Sequence, residues 1–361
     1  MRKFNFSSGP SVLPEPVLRK AQVAVWDWDD TGIGILEHSH RGPEFTALCE
    51  RAERLVREVG DVPDEYAILF LQGGASAQFH MVPMNFLAAG ATADYCVTGT
   101  WGQKAIGEAK KLGQVHVACS SEASNFAAIP SADEVHWSSA PVYGHFTSNE
   151  TIHGVQWAAP PPPPPGGAPL ICDASSDLFS RPLEISRYGM VYAGAQKNLG
   201  PSGTVLALAR KDLIERGSRA LPTMLQYRTW ASDHSLYNTP PTFGIYLVAE
   251  VLEWVRAEGG IAAMQARAVE RASLVYDFLD QSRLFHGHAR ADSRSLMNIT
   301  FRATTPALEA EFLAGADALG LANLKGHRSV GGMRASMYNA FPVAGARALV
   351  EYLDEFERAH R

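Results

Sequence analysis

The chain has 361 residues, of which 46% are hydrophobic and 19% charged, and its formal net charge is −6. This length is enough for one large core and a smaller second domain, and the composition is that of an ordinary soluble globular protein. The negative charge and the lack of a Lys/Arg block argue against a surface that binds nucleic acid or an anionic membrane. No apolar run reaches membrane-spanning length, and the N-terminus lacks the apolar segment of a signal peptide.

The chain contains four cysteines, Cys49, Cys96, Cys119 and Cys172, none in C-x-x-C spacing. All of them lie in or beside apolar stretches, so we expect buried free thiols in a reducing compartment. Together with the missing signal segment, this predicts a cytoplasmic protein.

The first two thirds of the chain alternate between helical and strand patterns. Apolar residues between Phe45 and Val59 recur at helical spacing, and Gly60 ends this helix. A buried strand over 66–71 follows, then Gly73-Gly74 and a helix that starts near Ser76. A further helix is predicted around 102–112, and further strands over 94–98, 114–119, 169–173, 190–195 and 203–209. Strands that alternate with helices indicate an α/β fold with a mostly parallel sheet.

After about residue 260 the pattern changes. We predict a long helix over 261–281, a strand over 296–301 and a final helix that buries Leu349, Val350, Leu353 and Phe356. These elements are typical of a smaller α+β domain. The expected division is a large domain over 16–260 and a small domain formed by 1–15 and 261–361.

A run of six prolines, Pro160–Pro165, interrupts the large domain. Such a run is predicted to be extended polyproline II, exposed to solvent and unable to join the centre of a sheet. Either it is a surface loop between two elements, or it is a ligand for a proline-binding partner.

Two ionisable residues follow successive predicted strands. Asp173 ends the run Pro169–Asp173, and Lys197 follows the run Met190–Gln196. In a mostly parallel sheet both lie at carboxyl ends of strands, where ligands bind. Pyridoxal phosphate (PLP) chemistry requires an amine that forms a Schiff base with the cofactor and a carboxylate that keeps the pyridine nitrogen protonated. The alternative is a structural salt bridge between neighbouring strand ends.

Three other segments would complete a PLP site. The turn Gln72–Gln78 places two glycines before a helix, so the backbone N–H groups of Ala75 and Ser76 could bind a phosphate. Trp101 follows the next strand and could cover a flat ring, and Thr151 could donate a hydrogen bond to the ring hydroxyl. Taken singly, each of these residues would usually be structural.

Two basic clusters, His38–Gly42 and His327–Arg334, lie outside charge-rich helices. Arginine forks and histidines bind carboxylate and phosphate, so the clusters suggest a substrate with two or three negative groups. The alternative is solvated surface charge. We expect no metal at His38 and His40, because no carboxylate or further histidine falls at ligand spacing.

Seven segments, in order and nearly from end to end, resemble the phosphoserine aminotransferases, a family of class V, fold-type I PLP enzymes. The segments are Asn5–Pro10, Ser39–Gly42, Gly73–Ser76, Gly99–Trp101, Asp173–Ser176, Gly194–Pro201 and Val330–Ser336. The resemblance implies a mainly parallel seven-stranded sheet flanked by helices, in a large domain that binds PLP, with the smaller α+β domain beside it.

The resemblance also implies how the cofactor is held. Lys197 would carry PLP as a Schiff base, Asp173 would pair with the pyridinium nitrogen, and Trp101 would stack on the ring. The cofactor's phosphate and ring hydroxyl would be contacted by Ala75, Ser76, Gln196 and Thr151, and by Asn238 and Thr239 from a partner subunit. A homodimer with shared active sites is therefore expected.

On the substrate side, the resemblance implies that Arg334 binds the α-carboxylate and that Ser8 approaches the substrate. Residues around the substrate phosphate, some from the partner subunit, would be His40, Arg41, His327 and Arg328. The implied reaction, a step of serine biosynthesis, moves the amino group of L-glutamate to 3-phosphohydroxypyruvate and yields O-phospho-L-serine. The resemblance leaves open whether 4-phosphohydroxy-L-threonine, an intermediate of pyridoxine biosynthesis, is also a substrate.

Three alternatives remain at the level of sequence. A serine–pyruvate-type aminotransferase would share the PLP residues but would not need the second basic cluster. A cysteine desulfurase needs a nucleophilic cysteine on a late loop, and no cysteine follows Cys172. A non-catalytic phosphate-binding protein would use the Gly-Gly turn but would leave Asp173 and Lys197 unexplained.

Overall fold

The computed structural model describes residues 2–360. Its helices are Glu15–Trp26 (α1), Pro43–Gly60 (α2), Gly74–Phe86 (α3), Thr100–Ala109 (α4), Lys211–Arg216 (α5), Tyr227–Ser232 (α6), Thr242–Ala257 (α7), Gly260–Gln281 (α8), Pro306–Ala318 (α9) and Val343–Ala359 (α10). Its strands are Phe4–Asn5 (β1), Tyr66–Gln72 (β2), Thr92–Val97 (β3), Gln114–Ser120 (β4), Gly144–Thr147 (β5), Asn149–Glu150 (β6), Val155–Gln156 (β7), Leu170–Asp173 (β8), Met190–Gly194 (β9), Thr204–Arg210 (β10), Phe285–Gly287 (β11), Asn298–Ala303 (β12), Leu321–Ala322 (β13) and Met333–Ser336 (β14).

The largest sheet in this part of the chain has seven strands in the order β2-β10-β9-β8-β5-β3-β4. All neighbouring pairs are parallel except the two that involve β10. The predicted mainly parallel seven-stranded sheet flanked by helices is confirmed. Because β2 runs in the same direction as β9, β8, β5 and β3, the carboxyl ends of these strands share one edge of the sheet.

The reversed strand is β10, which the sequence pattern did not distinguish from its neighbours. It is antiparallel to β9 along Val205–Ala209. Only residues 195–203 connect these two strands, and they contain no helix. A connection without a crossover helix returns the chain as an antiparallel pair.

Both faces of the sheet are covered. Along β8, Cys172 faces one hydrophobic cluster while Ile171 faces the other, and Val191 and Tyr192 of β9 divide in the same way. Side chains alternate along a strand, so a parallel sheet with helices on both faces buries nearly every residue. This explains why the central strands appear in the sequence as continuous apolar runs.

The C-terminal part packs around its own core. Strands β11, β12 and β14 form an antiparallel sheet, and β1 pairs in parallel with β13. The final helix α10 buries Leu349, Leu353 and Phe356, as predicted, whereas Val350 is only partly buried. The pairing of β1 with β13 joins the N-terminal strand to this part, and the domain boundaries given above stay a prediction.

The proline run is packed against the sheet rather than fully exposed. Pro161 and Pro164 are buried. Trp137 Nε1 donates to the carbonyl of Pro162 at 3.1 Å, and a Cβ on Gly144 of β5 would lie 2.7 Å from Pro164 Cγ. The expectation of an exposed segment is therefore wrong for the buried prolines, because an aromatic residue far from the run in sequence covers it.

The four cysteines are buried free thiols, as predicted. Burial raises the pKa of Cys49 to about 12 and raises that of Cys172 as well. Between residues 2 and 360, no helix is both long enough and apolar enough to cross a bilayer.

Candidate active site

The predicted site residues meet at the carboxyl edge of the main sheet. Asp173 is the last residue of β8, and Lys197 lies three residues beyond the end of β9. Lys197 Nζ donates to Thr151 Oγ1 at 2.7 Å and lies 5.6 Å from the centroid of the Trp101 ring. Thr151 and Trp101, which the sequence placed in the same site as Lys197, therefore both lie beside its amine.

Asp173 is buried, and its Oδ1 accepts hydrogen bonds from the backbone N–H and the hydroxyl of Ser175 at 2.9 and 2.6 Å. Burial raises the pKa of this carboxyl, whereas the charge of Lys197 and the bonds from Ser175 lower it. Among the described residues, no ion pair within 4.0 Å joins Asp173 to Lys197. The structural salt bridge is thus not formed, and the carboxylate fits a cationic ring nitrogen.

The Lys197 amine lies in a desolvated environment. Burial lowers its pKa to about 8, while the nearby carboxylates of Asp173 and Glu150 raise it and Arg334 lowers it further. An amine with a depressed pKa is partly neutral near physiological pH, as a nucleophile or a general base requires.

The turn after β2 leaves the N-terminus of helix α3 uncapped. Gly73 and Gly74 have φ angles of +93° and +66°, which only glycine adopts without strain. Helix α3 starts directly after Gly73, and no side chain caps it. Its first N–H groups are thus available to a phosphate. Ala75 is partly buried and Ser76 is exposed at this turn.

Gln196, next to Lys197, contributes a polar atom without a partner. Its Oε1 is buried and accepts no hydrogen bond from the described residues. The side chain is confined, because a Cβ on Gly194 would lie 2.6 Å from Oε1 and one on Gly9 would lie 3.3 Å from Cγ. An unpaired buried polar group is costly, so it indicates that a ligand completes this corner.

The substrate side is connected to the amine through Thr151. Arg334 is buried, and its Nη2 donates to Ser8 Oγ at 2.6 Å while Nη1 donates to the carbonyl of Thr151 at 3.3 Å. Tyr338 donates to the carbonyl of Ser8 at 2.8 Å. One hydrogen-bonded chain therefore runs from the Arg334 guanidinium to Lys197 Nζ.

Comparisons with known proteins agree on one family. The model for class-V aminotransferases matches residues 3–349. The phosphoserine aminotransferase of Herpetosiphon aurantiacus is 49% identical to this chain, over 99% of both chains. That of Aromatoleum aromaticum is also 49% identical, over 98% of both chains.

The chain belongs to the phosphoserine aminotransferase family.

Solved structures of this family superpose along the whole chain. The phosphoserine aminotransferase from Bacillus circulans subsp. alkalophilus has a TM-score of 0.97 at 48% identity and covers 100% of this chain and 99% of its own. The PLP-bound enzyme from Trichomonas vaginalis has a TM-score of 0.93 at 35% identity, over 98% and 100% of the two chains. An alanine–glyoxylate aminotransferase from Nostoc sp., 17% identical over 99% and 95% of the two chains with a TM-score of 0.76, shares the fold alone.

The second basic cluster is only partly gathered at the site. Burial lowers the pKa of His327, and the charges of Arg334, Lys104 and Arg328 lower it further. Arg328 is exposed. Lys104 Nζ lies 4.3 Å from the centroid of the Trp101 ring, which makes it a basic residue of this site that sequence reasoning missed.

Four of the predicted residues are not bonded to the centre of the site within one chain: His40, Arg41, Asn238 and Thr239. No hydrogen bond or ion pair between residues 2 and 360 joins any of them to Lys197, Asp173 or Arg334. His40 Nε2 and Asn238 Oδ1 are instead buried without a partner.

Glu150 is the second residue that sequence reasoning missed. It directly precedes Thr151 and is completely buried. Its two carboxylate oxygens accept the backbone N–H groups of Trp101 and Gly102 at 3.1 and 2.9 Å. The available signal was the acidic residue directly before Thr151, since a charge beside a candidate site residue needs a partner if it is buried.

Proposed function

We propose that the chain transfers the amino group between L-glutamate and 3-phosphohydroxypyruvate, giving O-phospho-L-serine and 2-oxoglutarate, with PLP as its cofactor. The hydrogen-bonded chain from Arg334 through Thr151 to Lys197 carries this proposal. It places an amine that can move a proton beside a guanidinium that can bind a carboxylate. A steady-state assay of glutamate with 3-phosphohydroxypyruvate, beside pyruvate and oxaloacetate, tests it, and a preference for either unphosphorylated acid would contradict it.

The residues at the carboxyl edge of the sheet fit PLP in kind and position. Lys197 would hold it covalently, Asp173 would face its ring nitrogen, and Trp101 would cover its ring. Its phosphate and ring hydroxyl would be held by Ala75, Ser76, Gln196 and Thr151. When bound, PLP supplies a protonated ring that withdraws electrons from the substrate Cα.

The chain's own residues then bind the substrate and move a proton. The guanidinium of Arg334 would hold the α-carboxylate with two N–H groups, which fixes the Cα–H bond relative to Lys197. Lys197 Nζ would take the proton from the Cα of the amino donor and return one to the Cα of the amino product. Ser8, which accepts from Arg334 at 2.6 Å, keeps the guanidinium in place.

We propose that a second copy of the chain completes the site. Exposed apolar side chains precede the His40-Arg41 pair: Trp26, Val23 and Leu36 are 86%, 66% and 56% exposed. Large apolar side chains that are exposed in one chain are the kind of surface that a protein partner can cover.

The segment that carries Asn238 and Thr239 has the same character. Tyr237, immediately before it, and Met224 are each 41% exposed. The basic pair and this segment would therefore reach the partner's active site, where Asn238 and Thr239 would contact the cofactor phosphate. His40, Arg41, His327 and Arg328 would surround the substrate phosphate. The four buried free thiols further support a cytoplasmic protein.

Arg41→Ala is expected to lower kcat/KM for 3-phosphohydroxypyruvate about 100-fold, since truncating one partner of a charge pair costs about 2–5 kcal/mol. The same variant should leave kcat/KM for pyruvate, which lacks the phosphate, nearly unchanged. Arg54→Ala, on the exposed face of α2, serves as a matched control for the loss of a surface charge. Equal losses with both keto acids would argue against phosphate recognition by Arg41.

A mixed dimer tests whether the site is shared. Lys197→Ala and Arg41→Ala chains, co-expressed with different tags and isolated as heterodimers, should regain about half of the wild-type activity, one site in two being intact. In that site Lys197 comes from one chain and Arg41 from the other. If Arg41 served its own chain's Lys197, the heterodimer would gain nothing over the Arg41→Ala protein.

A further inference from the structure

Helix α4, which carries Trp101, is capped by a residue from a distant part of the chain. The first N–H groups of a helix have no partner within the helix and need one from elsewhere. In most helices a Ser, Thr, Asp or Asn at the N-cap accepts them. The N-cap of α4 is Gly99, which has no side chain to do so. The carboxylate of Glu150, in β6, accepts the N–H groups of Trp101 and Gly102 instead.

The fit between this carboxylate and the turn is tight. A Cβ on Gly99 would lie 2.4 Å from Cδ and 2.5 Å from Oε2 of Glu150, and one on Gly102 would lie 3.5 Å from Oε1. The glycine at position 99 therefore lets the backbone lie directly on the carboxylate. Any shift of Glu150 would move the backbone of Trp101 with it.

The other side of Glu150 is tied to the reacting amine. Thr151 is the next residue, and its Oγ1 accepts from Lys197 Nζ at 2.7 Å while its carbonyl accepts from Arg334. The turn is closed by a hydrogen bond of 2.8 Å from the N–H of Gly154 to the carbonyl of Glu150. The segment from Glu150 to Gly154 therefore holds both the start of the helix that carries Trp101 and the Thr151 hydroxyl that bonds to Lys197.

The surroundings of the Glu150 carboxyl act on its ionisation in opposite directions. Burial raises its pKa to about 7, although the two N–H groups and the charge of Lys197 favour the ionised form, and Asp173 opposes it. A buried carboxylate is costly, and a neutral cap on the helix itself would satisfy the same N–H groups at lower cost.

We propose that Glu150 is a positioning residue that sets the location of the Trp101 ring relative to Lys197 Nζ, and thereby the slot in which the cofactor ring binds. This rests on the proposed function only in taking Trp101 as the cover of the PLP ring. Glu150 acts through the backbone of Trp101 and does not itself touch the reacting atoms.

Glu150→Gln tests the inference, because the amide has the same shape but only one accepting oxygen. The NH₂ group of the glutamine would face the backbone N–H of either Trp101 or Gly102. One hydrogen bond is then lost, and two hydrogen-bond donors face each other without an acceptor. Titration of the full-length apo-protein with PLP should show an affinity at least about tenfold weaker, the loss of one hydrogen bond to a charged group. The absorbance maximum and visible circular dichroism of the bound cofactor should shift. Glu150→Asp, which keeps the charge, should restore part of both signals.

Asp94→Asn is the matched control. Asp94 is also a completely buried carboxylate that accepts a backbone N–H, from Ser138 at 2.6 Å, but it lies in the N-terminal half of β3, away from the end that leads into α4. This variant should lose stability with an unchanged PLP spectrum.

Gly99→Ala is the second test, because the added Cβ would displace the Glu150 carboxylate without removing it. This variant should shift the spectrum of bound PLP in the same direction as Glu150→Gln does. The inference would be overturned if Glu150→Gln kept the PLP affinity and the spectrum of the wild type. If Glu150→Gln does not fold, the same result in Gly99→Ala would overturn it. None of these measurements uses 3-phosphohydroxypyruvate, so an error in the proposed substrate leaves them unaffected.

Discussion

Replacing Lys197 with Ala is expected to lower turnover by about 10⁴-fold or more, the upper range for loss of a general acid–base group. The variant loses both the amine that holds the cofactor and the group that moves the substrate proton. The Thr151 hydroxyl accepts a hydrogen bond from Lys197 Nζ. Thr151 cannot take over either role of Lys197, because it carries no basic nitrogen. Turnover with glutamate and 3-phosphohydroxypyruvate measures the loss.

A chemical label provides a second readout for the same variant. Borohydride reduction of the yellow holo-protein should fix the cofactor on Lys197 and remove the colour, and the Ala variant should take up no label there. Lys104 is the matched control, since its amine also faces the Trp101 ring, at 4.3 Å against 5.6 Å for Lys197. Lys104→Ala should still be labelled at Lys197. Near-normal turnover of Lys197→Ala, or a label on Lys104, would contradict the assignment.

The sequence predicted the cofactor side of the site because its residues lie at strand ends. Strand patterns placed Asp173 and Lys197 at the carboxyl ends of β8 and β9, and parallel pairing then requires them to be neighbours. The Gly73-Gly74 turn could also be predicted, since two glycines between a strand and a helix leave helix N–H groups open, although alone such a turn is usually structural. For these residues, local pattern and topology were sufficient.

Contacts between distant segments could not be predicted from local pattern. The backbone of α4 meets Glu150 across 48 residues, and Ser8 meets Arg334 across 326. No periodicity encodes such pairs; the family resemblance implied that Ser8 and Arg334 both lie near the substrate, but not that they contact each other. The packing of Trp137 on the proline run was missed for the same reason.

The residues that the family resemblance connects with a partner subunit are a third case. A single chain leaves His40 and Asn238 with buried polar atoms that lack partners. In the proposed homodimer, the second chain would supply the partners of these atoms. Neither local pattern nor one folded chain can therefore place them, and the mixed-dimer experiment addresses them directly.

Asp173→Asn should separate the catalytic role of this carboxylate from any structural role. The amide cannot compensate a positive ring nitrogen, and removing one member of a buried charge pair costs about 3–5 kcal/mol, or roughly 10²- to 10⁴-fold in turnover. The amide oxygen can still accept the N–H of Ser175, as the Oδ1 atom does at 2.9 Å. Because no cation lies within 4.0 Å of Asp173 among the described residues, the stability of the apo-protein should not fall.

Asp177→Asn is the matched control for this pattern, four residues further along the same segment. Asp177 is also buried, but its Oδ2 accepts from Gln156 at 3.0 Å and from Arg181 at 3.3 Å. Its substitution should cost about 1–3 kcal/mol of stability, the penalty for a broken buried hydrogen bond, while turnover stays close to that of the wild type. Thermal unfolding and steady-state turnover of both variants measure the contrast. Full turnover in Asp173→Asn, or equal losses of turnover in the two variants, would show that Asp173 does not act on the cofactor ring.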